Sequence, residues 1–475
     1  MYNILLPVLL IVFLAGNMFF IISRHKPQTT LREYSVAGCS AGTATFLFSF
    51  VGRWIPGAVC TVWFTLAAER GVYAHYLILY SLGAVAMLRC FGIPIWRLSQ
   101  QYGLETQADF IELRYGSKLF KSAFSALTLL FWFPWVILEL KTIGQAIAAT
   151  SGNSIEYNIG IISVTMFIII FCFYGGVRSV NNSAVLQTVI LILFGCICAY
   201  CLICRTFGGV FNLYADVAVQ APALLHLDFS SARRFEWLSA IISGTLGSIF
   251  WPGMFCLIYA ADSTKSIRRA SVLAPLLLLP FFWLLLSLGS GAQLIPGFEA
   301  EGSTGLFWIA EQYGDPFLRA MLGVGAVAAS MSMCAPVFNV AGIMVAKDLY
   351  ATLRLRSGVN TLKAARISTV LVGLVALWLA TLYLPNLVSL VMLMYNFIIQ
   401  ASAPILLGLC WRRSTLGGAA SGMVFGIVTT LLMSLCPSLV DFVSGWSAGM
   451  MGLAVNVTVH VIVSLLMPKN QVFHR

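Results

Sequence analysis

Along this chain apolar residues come in long runs, and the polar residues collect in the short stretches between them. A run of about 20 apolar residues matches the hydrocarbon thickness of a bilayer. A helix is the one open structure that satisfies its own amides there. The pattern predicts thirteen spans, at 2–23, 43–68, 72–96, 119–150, 157–176, 183–205, 236–261, 270–295, 316–346, 364–384, 386–410, 415–436 and 443–467. The expected class is therefore all-α, a polytopic membrane protein. The first span, Tyr2 to Ser23, is longer than a signal-peptide core, follows no basic residue and precedes no small-residue cleavage site, so it reads as a retained helix.

Composition narrows the picture. Of 475 residues, 60% are apolar and 9% charged, against about 25% charged in soluble domains. That excludes a cytosolic enzyme, a disordered chain and a disulfide scaffold. The net charge of +11 has to be read loop by loop. Loops on one side hold Arg24, Lys26 and Arg32, then Arg97, Arg114, Lys118 and Lys121, then Arg178, then Lys265, Arg268 and Arg269. They later hold Lys347, Arg354, Arg356, Lys363 and Arg366, then Arg412 and Arg413, and last Lys469 and Arg475, which makes 20 of the 28 basic residues. The other side has Arg70, Arg205, Arg233, Arg234 and Arg319, with ten of the seventeen acids. The expected topology is N-terminus outside and C-terminus cytoplasmic, in a bacterial inner membrane. The partners this implies are lipid and a small molecule, with no nucleic acid. The twelve cysteines lie almost wholly in apolar runs and read as small buried hydrophobes. No Walker loop, HExxH or nucleophile elbow is present, so neither an enzyme nor an ATP-driven pump is expected, and no cofactor or metal site is implied.

Beyond the first and last turns of the spans four charges remain: Arg53, Arg89, Glu139 and Lys141. Such groups cost about 2.5–3.5 kcal/mol each and face a protein interior or a wet cavity. Arg89, near a span end, reads as snorkelling. Two spans also carry breaking residues. The second contains Gly52-Arg53-Trp54-Ile55-Pro56-Gly57. The seventh contains Gly244-Thr245-Leu246-Gly247 and then Trp251-Pro252-Gly253. A backbone break in hydrocarbon is tolerated where it lines a cavity. These spans lie five apart and each opens a run of five. Since five is odd, the runs enter the bilayer from opposite sides, as inverted repeats with a midplane site do. The chain divides accordingly: 1–42, an extra helix and loop; 43–205, the first repeat; 206–235, an extracellular loop; 236–413, the second repeat; 414–475, two helices and a tail. That arrangement predicts a transporter, with breaks at Pro56, Gly57, Gly247, Pro252 and Gly253.

Local motifs agree. Thr106-Gln-Ala-Asp109-Phe110-Ile-Glu-Leu-Arg114-Tyr115, Phe173-Tyr174-Gly175-Gly176-Val-Arg178-Ser179-Val180 followed by Gln187, Phe250-Trp251-Pro252 through Ala260-Ala261-Asp262-Ser263, and Ala328-Ala329-Ser330-Met331-Ser332 with Ala346-Lys347-Asp348-Leu349-Tyr350 occur in this order. Together they resemble the sodium/solute symporter family, of the proline and pantothenate symporter type, on a thirteen-helix variant of the LeuT-like fold. The resemblance implies secondary active uptake by alternating access. It also implies a cation site made of backbone carbonyls near Gly52 and Ile55 with a hydroxyl at Ser332, and a cavity-lining role for Gln187.

The departures from the family pattern bear on mechanism. The usual hydroxyl pair is here Ser332 and Met333, and a thioether is a poor ligand for a hard cation that wants about five or six oxygens. Where the family often has Thr-Asp ahead of the Gln, this chain has Ser183 and Ala184. Arg53 replaces a small hydroxyl residue. Its guanidinium has three readings: a structural donor to the carbonyls of its own broken helix, a tethered cation beside the sodium site, or a bidentate grip on a substrate carboxylate. Glu139 and Lys141, two residues apart on a helix, should not pair with each other. Each reads as bonded to another helix, with a proton relay open for Glu139. Trp54, Phe250 and Trp251 beside the breaks are candidate substrate contacts. Asn396 and Gln400 share a face and read first as an interhelical hydrogen bond, with the lining of a polar path as the alternative.

The resulting expectation is a symporter for a small organic anion or zwitterion, coupled to Na⁺ or, given the departures, to H⁺. The alternatives are a sensor, a facilitator or a Na⁺-independent exchanger.

Overall fold

The computed structural model describes residues 2–227, 230–298, 304–352, 360–382, 387–436, 438 and 443–468. Arg354, Arg356, Lys469 and Arg475, counted above among the basic-loop residues, lie outside the described residues. In chain order the helices are α1 (Tyr2–Ser23), α2 (Leu31–Val36), α3 (Thr43–Trp54), α4 (Val62–Arg70), α5 (Tyr76–Tyr102), α6 (Gln107–Tyr115), α7 (Lys118–Thr150) and α8 (Tyr157–Phe207). They continue with α9 (Val210–Gln220), α10 (Ser231–Ser248), α11 (Pro252–Ala260), α12 (Thr264–Gly291), α13 (Gly305–Tyr313), α14 (Pro316–Ile343) and α15 (Thr361–Thr381). The last four are α16 (Leu387–Ile398), α17 (Ser402–Cys410), α18 (Leu416–Leu435) and α19 (Ala448–Leu466). Every expected span is occupied by helix. Among the described residues ten helices are long and apolar enough to cross a membrane, or eleven with the bent α10–α11 pair. The thirteen expected crossings follow when α8 counts as two arms and α3 joins α4 as one broken span.

Local chemistry sets the ends. Thr30 with Glu33, and Thr106 with Asp109, form reciprocal capping boxes that start α2 and α6. Ser263 and Asp315 cap α12 and α14, the latter followed by Pro316 in the first turn. The fifth and sixth spans, expected as separate helices, are two arms of α8 that meet without a loop at a kink at Gly176, whose φ of 52° and ψ of −150° leave the helical region. Only glycine fits there, because a Cβ would fall 2.5 Å from the carbonyl oxygen of Tyr34.

Helix α14 is the axis of the molecule, buried along its length against α7, α8, α15 and α1. The broken span α3–α4 and the pair α10–α11 pack beside it, and α12 lies across α3, α5 and α8. Helices α18 and α19 form a close pair in which Gly418, Gly422 and Gly426 meet the backbone of His460, Asn456 and Gly452, the small-residue contact that membrane helices use.

Candidate functional site

Both expected breaks exist, and both are narrower than the glycines suggested. Gly52, Arg53 and Trp54 are still helical. The chain leaves α3 at Ile55 and Pro56, makes a 3-10 turn over Gly57–Cys60 and resumes at Val62. Proline has no amide hydrogen to continue the ladder and pushes the residue before it out of the helical region. In the seventh span Gly244 and Gly247 lie inside α10, so Gly247 is not a breaking residue. The gap is Ile249–Trp251, and Pro252 and Gly253 open α11 at a bend of 42°. One glycine in a helix costs only about 1 kcal/mol, which neighbouring packing outweighs, whereas a proline removes a hydrogen bond outright.

The two gaps enclose one cavity. Arg53, Trp54 and Pro56 line it from the first break, Gly244, Ser248, Trp251 and Met254 from the second, and Tyr80, Trp135 and Tyr395 close the sides. Its volume is about 20 Å³. Through Tyr80, Gly244 and Tyr395 it adjoins a vestibule of 280 Å³ that reaches Arg70 and Glu236, an exposed ion pair at 3.0 Å on the side away from the basic loops. The other side is sealed. Gln107 donates to the Phe250 carbonyl, Trp96 to the Ala261 carbonyl at 2.9 Å, and Ser332 Oγ bridges α14 to α3.

Aromatic rings set the shape of the site. Trp54 stacks on Phe50, meets Tyr80 edge-on and donates its indole hydrogen to Ser81 Oγ at 2.7 Å. Trp251 stands edge-on to Trp132 and Trp135, with its Nε1 unpartnered. Phe250 does not join them. It packs against Phe91 and Phe255 and is absent from the cavity lining.

The charges at the breaks are met by neutral groups. Arg53, 4% exposed, donates from Nη2 to Asn181 Oδ1 at 2.8 Å, while its Nε and Nη1 are buried without a partner. Glu139, fully buried on α7, accepts from the Gly57 amide at 2.9 Å and the Ala58 amide at 3.4 Å, the first amides after the gap. Ser330 of α14 faces the same carboxylate. It stands so close to Gly57 that a Cβ there would fall 1.9 Å from its hydroxyl. Lys141 points elsewhere and donates to the Leu382 carbonyl at 2.7 Å.

The expected cation ligands converge in part. Ser332 Oγ lies 2.7 Å from the carbonyl oxygens of Gly52 and Ala329. Ile55 stands at the start of the gap. Met333 follows with no oxygen to add. Gln187 bonds Ser183 at 2.5 Å, which bonds Asn17 of α1, and it is not in the cavity lining. Asn396 and Gln400 make the expected interhelical bonds, to the Gly449 amide and to Thr430 and the Gly449 carbonyl.

Sequence reasoning missed Asn181, Tyr80 and Tyr395, whose types gave no signal in a chain this rich in aromatics. It also missed a buried ion cluster at the basic-loop end. There Lys121 Nζ meets Asp109 and Glu112 at 2.7 Å and Asp348 at 3.7 Å, while Lys347 Nζ meets Glu105 at 2.7 Å and Asp109 at 2.8 Å. Burial works to raise the Asp109 carboxyl, but the Lys347 and Lys121 ammoniums outweigh it and hold it well below the usual carboxylate range. Asp109 and Asp348 both stand in the quoted motifs, and their shared contact with Lys121 is legible only in three dimensions.

Residues 63–426 match the model of the sodium:solute symporter family. The chain is 24% identical to the Bacillus subtilis protein named uncharacterized symporter YhjB, over 98% of each chain. It is also 24% identical to a monocarboxylate transport permease protein of Rhizobium johnstonii, over 95% of this chain and 94% of that one. Among solved structures, a Na⁺-coupled sialic acid symporter in a substrate-bound outward-open state superposes with a TM-score of 0.82 at 18% identity, over 98% of each chain. The fold is thus the LeuT-like one, with its two inverted five-helix repeats.

Proposed function

Because the chain belongs to the sodium:solute symporter family, we propose that it carries a small organic anion, a monocarboxylate, across the bacterial inner membrane by alternating access, with its N-terminus outside. One observation carries the substrate class: a buried guanidinium in the wall of the midplane cavity with two nitrogens unpartnered. An unpaired buried charge costs several kcal/mol unless something neutralises it. A carboxylate supplies that charge and fits the flat donor fork of arginine. The Rhizobium relative named for monocarboxylates supports this reading. The small cavity and the ring of Trp54, Trp251 and Tyr395 favour a short apolar tail.

Coupling follows from what surrounds the break. The oxygens of Gly52, Ala329 and Ser332 are too few to replace a sodium ion's hydration without further donors. Glu139 has no lysine, arginine or histidine partner among the described residues. It faces the Gly57 and Ala58 amides, Ser330 and Cys334 of α14, Cys60 beyond the break and Tyr395 of α16. A proton on this carboxylate would balance the charge that an anionic solute brings, and protonated Glu139 would keep fewer acceptor sites for the two amides it now holds. The reading is therefore anion–proton symport, with sodium assisting weakly. A second reading, Na⁺-independent exchange, is favoured by Met333 alone.

The test is counterflow in proteoliposomes loaded with unlabelled pyruvate or lactate. Saturable accumulation of labelled substrate supports the carrier, and flux that never saturates refutes it. Comparing an imposed proton gradient with an imposed sodium gradient then separates the two couplings.

A further inference from the structure

Away from the breaks, a cavity of 670 Å³ opens between the end of α1, the bend of α8 and the first turns of α15. Its two ends differ in chemistry. One wall is apolar, built from Ile21 and Ile22 of α1 and from Ile170 and Phe171 of α8. It continues onto surface that faces lipid, with Ile22 65% exposed and Ile170 45% exposed. The other end is polar, formed by His25, Gln28 and Arg366.

The polar groups are built in and incompletely satisfied. Gln28 is 92% buried, because its relative exposure is 8%. Its Nε2 donates to the Gly175 carbonyl at the α8 bend, and its Oε1 has no partner. Arg366 lies over the Tyr34 ring at 5.8 Å and reaches the Gln28 carbonyl only at 3.4 Å, and its buried Nε has no partner. Among the described residues no acid pairs with Arg366. The nearby Glu33 is engaged by the Thr29 and Thr30 amides at 2.8 and 3.2 Å. Arg24, Lys26 and Lys363 add positive charge at the same end of the molecule.

Depth fits the same occupant. Arg366 is five residues into α15, about 7.5 Å from the helix end at a rise of about 1.5 Å per residue, and it lines the same groove as the exposed Ile22 and Ile170. An aqueous anion at that depth would lie against hydrocarbon. A zwitterionic lipid would bring its own cation to Arg366. An anionic phospholipid whose head group carries hydroxyls meets every feature: phosphate oxygens for Arg366 Nε, a hydroxyl donor for Gln28 Oε1, and acyl chains for the isoleucine wall. We propose that this groove is a binding site for such a lipid, of the phosphatidylglycerol kind, in the leaflet on the basic-loop side. Through Gln28 the bound lipid braces the α8 bend at Gly175–Gly176.

Native mass spectrometry of the purified full-length protein tests it, with phosphatidylglycerol, phosphatidylcholine and glycerol 3-phosphate as probes. The wild-type protein should retain phosphatidylglycerol roughly tenfold over phosphatidylcholine and should not retain glycerol 3-phosphate. Arg366→Gln should erase the preference. Ile170→Trp, which fills the groove from its lipid-facing wall, should lower retention while leaving the guanidinium in place, and it serves if the arginine variant misfolds. Equal retention of the two lipids, a preference that survives both substitutions, or glycerol 3-phosphate held as well as the lipid would each overturn the proposal.

Discussion

Among the described residues, the lysines and acids clustered around Asp109 at the basic-loop end meet opposite charges, whereas Arg53 and Glu139 at the breaks meet none. Lys121 and Lys347 stand among Glu105, Asp109, Glu112 and Asp348, with four of the contacts at 2.7–2.8 Å and Thr106 and Ser125 completing the shell of Asp348. Arg53 and Glu139 are just as buried, yet an asparagine holds one and two backbone amides hold the other. The first arrangement ties α6, α7 and the helical turns Met344–Ala351 that follow α14 into one block. The second has valence left over, and it sits where two helices are broken. On the function proposed above, the contrast separates structural charge from charge that takes a ligand, which composition alone does not do.

The comparison can be broken at several points. The largest effect is expected from Arg53→Gln, which should cut uptake of a small monocarboxylate by about 30-fold or more, since a buried charge contact is worth about 2–5 kcal/mol. Arg53→Lys, keeping charge but losing the fork, should retain a minor fraction. Uptake of labelled lactate measures both, and near-normal uptake by the glutamine variant would make Arg53 structural. Next, Glu139→Gln should lose most of the accumulation driven by an inside-alkaline pH step, because the amide cannot exchange a proton. An unchanged response to that step would discard Glu139 as the coupling group.

Asp109→Asn tests the other region. Breaking a buried pair costs about 3–5 kcal/mol, so the melting temperature should drop clearly, with the uptake of surviving protein little changed. The pH dependence has a definite sign. Because Lys347 and Lys121 depress the folded-state value of Asp109, its contribution is complete above the unfolded value, about 4, and fades as the pH falls through the lower folded value. Thermal midpoints of the wild-type protein should therefore be indifferent to this residue between pH 5 and 8 (roughly one unit or more above the unfolded value), and the variant should lose part of the acid-side decline. The smallest effect is expected from Met333→Ser, which adds an oxygen beside Ser332 and should raise sodium stimulation a few-fold. No change in sodium response would show that the oxygen count is not limiting.

Much of the fold was legible because hydrocarbon permits so few backbone solutions: helices occupy the expected apolar runs, and the proline-marked breaks fell where missing amides require. Pro56 and Pro252 were informative and Gly244 and Gly247 were not, since glycine permits a break without compelling one. The site was legible where a charge stood in a span. It was not legible for Asn181, Tyr80 or Tyr395, which matter only through what folding places opposite them. Gln187 and Phe250 show the converse, residues chosen for motif or position that the fold turns toward α1 and α5 instead.

The central claim, that Arg53 receives a carboxylate between the two broken helices, is tested most directly by a thermal shift of purified protein with lactate and with its uncharged isostere lactamide, in the wild type and in Arg53→Gln. Stabilisation of the wild type by lactate but not lactamide, absent in the variant, is the predicted result. Equal shifts with both molecules, or a lactate shift that persists without the guanidinium, would contradict it.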